Sequence, residues 1–183
     1  IGERQQAEKS ADLSDFIGMV AKIVSVALKD ENVEFVPDEG KKLIHDPTNP
    51  IDHPYITFKV ISRRPKDERK PRYRQAIDET GEDAPKNGHV YGQRFECIVQ
   101  FNIIASEYTQ ADKVMNTFEE LMFQYAHYFK KNGVAELLFE KHFTDENYDT
   151  FREKVSVRNL QYYVEIEKLT TVFNTTIDGV EIN

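Results

Sequence analysis

The sequence predicts an α+β fold: a mainly antiparallel sheet of about four strands, with helices packed on one face and a long hairpin arm. Three observations carry this. A strictly alternating run at 93–105 feeds an amphipathic stretch at 109–132, so a long strand leads into a long helix. The other strand patterns come in runs rather than in strict β-α-β alternation, which favours antiparallel pairing with helices on one side. About thirty residues separate two of the strands, far more than the two to five a hairpin needs.

Length and composition bound the rest. The 183 residues are read as one domain, 1–183, large enough to bury a core. No apolar run approaches the ~20 residues of a membrane span, and no signal-peptide pattern is present. The chain opens on Ile1 rather than Met, which leaves room for residues before it. A formal net charge of −8 argues against general affinity for a DNA backbone, though not against a protein that DNA slides past. Cys97 is the only cysteine, so an in-chain disulfide and a cysteine metal cluster are excluded. Its place on the inward face of a strand suits a small buried apolar residue better than a reactive thiol.

Residues 1–9 read as a polar N-terminal arm. A helix is expected from Ser10 or Asp12, with Leu13, Phe16, Ile17, Val20, Ile23, Val24, Ala27 and Leu28 on one stripe. Gly18 and the β-branched residues lower its intrinsic propensity, so it depends on packing. Residues 33–36 form a short strand stopped by Pro37, and 38–53 a loop rich in Pro, Gly, Asp and Asn. The strand at 55–61 puts Ile56, Phe58 and Val60 on one face. Residues 62–92 read as an arm, basic at 63–74, acidic at 78–83, with a tight-turn signal at Asn87-Gly88.

In the strand at 93–105, Phe95, Cys97, Val99, Phe101, Ile103 and Ala105 share one face; Arg94, Glu96, Gln100 and Asn102 share the other. The following helix opens at Thr109, with Asp112 as an acid in its first turn, and stops at Asn132-Gly133. Residues 134–143 read as a short helix or irregular segment, and 144–153 as a polar, acidic connection. The last strand, 156–173, sets Leu160, Tyr162, Val164 and Ile166 against Tyr163, Glu165 and Glu167, with a bulge expected near Lys168-Leu169. Residues 174–183 read as a polar tail.

Few motifs carry chemistry. There is no glycine-rich phosphate loop, no His-Glu-x-x-His and no nucleophile-elbow serine. The spacing of His45, His53, His89, His127 and His142 suggests no shared metal site. Asp145, Glu146 and Asp149 lack the glycine and terminal glutamate of a calcium loop. No cofactor is expected. The sharper candidates are surfaces. The basic run Arg63, Arg64, Lys66, Arg69, Lys70, Arg72, Tyr73 and Arg74 suits protein contact better than nucleic acid, because acids interrupt it and Tyr73 is its only aromatic. Neutralising Arg63, Arg64, Arg69 and Arg72 is expected to weaken assembly and leave the subunit folded. The polar strand residues Glu96, Gln100, Asn102, Tyr163, Glu165 and Glu167 either face water or, in a ring, line a lumen with acidic and neutral groups that repel phosphate.

The order of elements, with Tyr91-Gly92-Gln93-Arg94-Phe95-Glu96-Cys97-Ile98-Val99-Gln100-Phe101-Asn102, the helix 111–129 and Ser156-Val157-Arg158-Asn159-Leu160-Gln161-Tyr162-Tyr163-Val164-Glu165-Ile166-Glu167, resembles the tail terminator (tail completion) proteins of tailed bacteriophages. It looks most like those of large contractile-tailed phages of Gram-positive hosts, over about residues 11–173. The resemblance implies a structural virion protein, not an enzyme, in a hexameric ring of itself. That ring would cap the tail tube, end its polymerisation and meet the head–tail connector, with genomic DNA passing through without sequence-specific binding. It implies a place in the tail–neck region, assembly in the host cytoplasm and no membrane partner. The arm 62–92 is longer than in compact members; a neighbouring subunit or the terminal sheath ring is what it is expected to grip. Another neck, head–tail joining or tube-like protein stays open, as does a small hydrolase using scattered carboxylates and histidine.

Overall fold

Two strands organise the molecule. β4 (Lys86–Ala105) and β7 (Glu153–Phe173) run antiparallel in unbroken register from Gly88↔Phe173 to Ala105↔Ser156. At ~3.4 Å per residue that ladder is about 60 Å long. The structure, a computed structural model, describes residues 9–38, 51–66, 72–79, 86–150 and 153–173. The bulge expected near Lys168-Leu169 is absent from this ladder, where Lys168 pairs Gln93 and Leu169 pairs Gly92.

Around this pair lies a seven-stranded mixed sheet with α+β organisation. β1 (Glu34–Pro37) is parallel to β2 (Tyr55–Pro65), and β2 is antiparallel to β4. β5 (Val134–His142) lies on the far side of β7, giving the order β1-β2-β4-β7-β5. β3 (Arg72–Glu79) continues along the β4 edge where β2 leaves off, and β6 (Glu146–Thr150) pairs the start of β7. The expected sheet of about four antiparallel strands is therefore larger and carries one parallel pair.

Several expectations are corrected here. The segment 62–92 is not simply a loop: β2 runs on to Pro65, past a bulge between Val60 and Ser62, and β4 begins at Lys86. What the sequence presents as an arm is, where described, strand laid against strand; 67–71 and 80–85 lie outside the described residues. The segment 134–143 is a strand, not a helix. Its pairing with β7 slips between Val134 and Glu136 and again between Phe139 and Lys141, so no clean period of two survives in the sequence. The connection 144–153 contains β6. The N-terminal arm up to residue 8, most of the loop 38–53 and the tail 174–183 fall outside the described residues.

The helices α1 (Leu13–Ala27), α2 (Tyr108–Gln124) and α3 (Ala126–Lys131) pack on one face of the sheet. Phe101 is the hub: Phe118 of α2 lies 5.1 Å away between ring centroids, Tyr162 5.7 Å and Phe16 of α1 6.5 Å. Edge-on and tilted contacts of this kind suit the ring quadrupoles. α1 opens with a reciprocal capping box: Asp12 Oδ1 accepts from the Asp15 amide and Asp15 Oδ2 from the Asp12 amide, both at 2.9 Å. The single helix expected over 109–132 is broken at Tyr125 into α2 and α3.

Gly133 ends α3 with φ +96°. A β-carbon there would come within 2.6 Å of Ala11 Cβ and 2.7 Å of the Lys9 carbonyl oxygen. The close approach has a use. The Glu167 amide donates to the Gly133 carbonyl at 3.0 Å, and the Glu167 carbonyl accepts from the Ala11 amide at 3.0 Å. The segment before α1, the turn after α3 and β7 thus meet at one residue.

Candidate functional site

The helix-free face of the sheet gathers the polar residues that the alternation singled out. Residues directly opposite each other in an antiparallel pair share a face. β4 and β7 pair Arg94 with Glu167, Glu96 with Glu165, Gln100 with Gln161 and Asn102 with Asn159. β5 adds Glu136 opposite Glu165. Glu96, Glu165 and Glu136 therefore form a row of carboxylates across three strands, which unaided would repel.

Cations at or just past the end of β2 and in β4 offset two of the three, Glu96 and Glu165. Lys66 Nζ donates to Glu165 Oε2 at 2.6 Å, and Arg94 Nη1 donates to Glu165 Oε1 at 3.2 Å. Arg64 Nε donates to Glu96 Oε2 at 2.8 Å. Arg94 Nε lies 3.6 Å from Glu167 Oε2, an ion pair too long for a hydrogen bond. The Lys66 amide also donates to the Arg94 carbonyl at 2.9 Å, which fixes the lysine beside β4. Glu165 is fully buried; a buried charge persists only with such partners.

Tyr163 links the two carboxylates. Its hydroxyl lies 3.1 Å from Glu165 Oε2 and 3.3 Å from Glu96 Oε1, one proton between two acceptors. Burial, then the negative charge of Glu165, raises its pKa far above the ordinary tyrosine value, so it stays protonated and donating. Further along, Gln100 Nε2 donates to Asn102 Oδ1 at 2.8 Å, and Asn102 Nδ2 donates to Thr57 Oγ1 at 3.2 Å. Glu96, Gln100, Asn102, Tyr163, Glu165 and Glu167 thus lie on one surface, and Arg64 and Lys66 join them there.

Two members of the basic run, Arg64 and Lys66, each also hold a carboxylate of their own chain. Neutralising Arg64 would leave Glu96 without its partner, so such a variant reads on folding as well as on assembly. Arg63 lies over the Phe95 ring, 4.2 Å from its centroid. Tyr73, in β3, is exposed and stands near Tyr91 and His89. Arg72 and Arg74 have their backbone in β3, but their side chains, like Arg69 and Lys70, lie outside the described residues. The pairing also leaves the polar face closer to neutral than a lumen lined by free carboxylates.

Sequence reasoning missed Arg158. It is fully buried, with Nε 2.8 Å from Asp112 Oδ1 and 3.3 Å from Asp145 Oδ1, and Nη1 donates to the Val157 carbonyl at 3.1 Å. The signal was present: counting back from Leu160 by two puts Arg158 on the apolar face. Asp112, expected to favour the helix start, is used here instead, while Glu107 at the N-cap of α2 makes no side-chain capping bond.

His53 is engaged and Cys97 is buried. His53 has Nε2 2.8 Å from Glu34 Oε2 and Nδ1 2.5 Å from Asp52 Oδ1. The hydrogen bond to Glu34, and then Asp52, hold its pKa above the ordinary value against the opposing effect of burial. Burial raises the Cys97 thiol pKa, which keeps it as a thiol. Among the described residues no three or more of His, Cys, Asp and Glu are grouped to hold a metal. No described helix is long and apolar enough to cross a membrane. Set against known proteins, the chain matches no family model and no curated protein.

Proposed function

We propose that this chain is a structural ring subunit of a tailed-phage neck. The ring, with six copies implied by the resemblance, caps the tail tube, ends its polymerisation and offers a different surface to the head connector. It belongs to the virion and assembles in the host cytoplasm, with the tube protein, neck proteins and the terminal sheath ring as neighbours.

One observation carries the reading: a long two-faced sheet, with helices over one face and a charge-matched polar face on the other. The two quoted segments around residues 91–102 and 156–167 supply its central strand pair. With that face turned toward an axis, Glu96, Glu165 and Glu167 are balanced by Arg64, Lys66 and Arg94, so phosphates find neither strong attraction nor strong repulsion. The same pairing favours a structural role over a hydrolase. Glu96, Glu165 and Glu167, each beside a cation, and a tyrosine kept protonated are poor candidates for a general base. A ring with tube-like contacts on one side and unlike contacts on the other blocks further addition by geometry alone.

Negative-stain electron microscopy of the purified protein, alone and mixed with tail tubes, tests this. Rings with a central hole, seated on tube ends, are the expected result. A monomer that leaves tube ends bare, or one that turns over substrate in a metal-supplemented hydrolase screen, overturns it.

A further inference from the structure

The sheet ends in two unlike edges. β1 covers β2 only from Tyr55 to Phe58, so the outer edge of β2 from Lys59 to Pro65 meets no described strand. At the other end β5 pairs β7 on one side and no described strand on the other. Exposed edges are normally guarded by charge or cut short. These two instead carry apolar side chains: Val60 is 41% exposed and Ile61 47%, Leu138 51% and Phe139 50%.

The edges match in direction and in level. Each step from β2 to β4, β7 and β5 is antiparallel, so β2 and β7 run one way and β4 and β5 the other. A second copy laid beside the first, same face inward, brings its β5 antiparallel to β2. The registers then give the facing residues. Val60, Val99, Tyr162 and Phe139 lie on one level across the sheet. Ser62, Ile98, Tyr163 and Leu138 lie on the next, and Arg64, Glu96, Glu165 and Glu136 on another. An unshifted copy sets Val60 against Phe139 on the helix-bearing face and Arg64 against Glu136 on the polar face. The one like-charged level, Lys59 with Lys141, has Glu140 beside it. Arg64 would then stand between Glu96 of its own chain and Glu136 of the next.

We propose that these edges form one interface between copies of this chain: β5 of one subunit pairs antiparallel with Lys59–Pro65 of the next, joining the copies head to tail into one continuous sheet. This rests on the ring reading and names its contact. The seam joins an apolar pair, Val60 with Phe139, on one face to an opposite-charge pair, Arg64 with Glu136, on the other.

Disulfide trapping tests it. Facing residues in an antiparallel pair have Cα atoms ~4.5–5.5 Å apart, within the range a disulfide spans. The double variant V60C/F139C, both positions being exposed, is expected to give a ladder of covalent multiples on mild oxidation. The ladder collapses on reduction and is absent from each single variant. A folded double variant that yields no ladder at the highest soluble concentration overturns the proposal. Charge exchange supplies a second readout. E136R, and R64E once circular dichroism shows it folded despite its loss of the Glu96 pair, each lose association, and mixing the two restores it, because every contact in an alternating assembly then joins opposite charges. Closed rings that form without the ladder remove this contact and leave the ring reading standing. A ladder that grows only into open filaments keeps the contact and removes the ring cap.

Discussion

Lys66 Nζ stands 2.6 Å from Glu165 Oε2, so the last residue before the undescribed part of the arm is tied to the centre of β7. The two residues are 99 positions apart in the chain. Glu165 is fully buried and sits opposite two other glutamates, so this contact, with Arg94, offsets the repulsion on the polar face.

Lys66→Met is accordingly expected to destabilise the fold by about 2–4 kcal/mol, because it leaves a buried carboxylate with Arg94 as its remaining cation. Adding Glu165→Gln should recover a large part of that loss, since the charge that needed the lysine is gone. Urea denaturation of the two single variants and the double variant gives the coupling directly. Additive losses would show that the pair does not interact.

Two glycines should respond in opposite directions. Gly133 has a positive φ and no room for a β-carbon, so Gly133→Ala is expected to cost about 2–4 kcal/mol. Gly18 lies inside α1 with nothing within 4 Å of a built β-carbon. Gly18→Ala is expected to stabilise by about 0.5–1 kcal/mol through helix propensity. Thermal melts of both variants check the pair.

His53 gives the fold a pH dependence. Its pKa is raised in the folded state by Glu34 and Asp52. A raised cationic group contributes stability that is fully present below its unfolded value, 6.5, and is lost as pH rises through the folded value. Stability should therefore fall on going from about pH 6 toward alkaline pH, and the fall should shrink in His53→Gln. NMR titration of the His53 ring, with denaturation across the same range, tests the sign.

Arg158 is expected to behave as a structural cation. Asp112→Ala should cost about 1–2 kcal/mol, because Asp145 remains 3.3 Å from the guanidinium. Removing both acids should cost more than the sum of the single changes, measured by denaturation of all three variants.

Strict periodicity made much of the fold legible. The inward row from Phe95 to Ala105 and the stripe of α1 are uninterrupted, so β4 and α1 can be read directly. β5 could not, because its two register slips carry Glu136 and Glu140 to places that a period of two does not reach. β6 is short and polar, and β3 lies in a run whose charges read as solvated loop. At the surface, both halves of the ion network were visible as residue types, but their union was not. Arg64 with Glu96 and Lys66 with Glu165 are long-range pairs, fixed by strand register rather than by local pattern.

The bonds at Glu167 bear on when the molecule can form. β7 is the last described strand, yet it lies between β4 and β5, holds β6, and anchors the backbone before α1 through Ala11. During synthesis the early helix emerges first but its Ala11 amide has no Glu167 acceptor, and both inner neighbours of the missing strand wait with an open edge. Loops spanning most of the chain must close together in one late step, so the protein should fold slowly and as a unit. A nascent chain stalled before residue 153 would be sticky, an apt substrate for a chaperone.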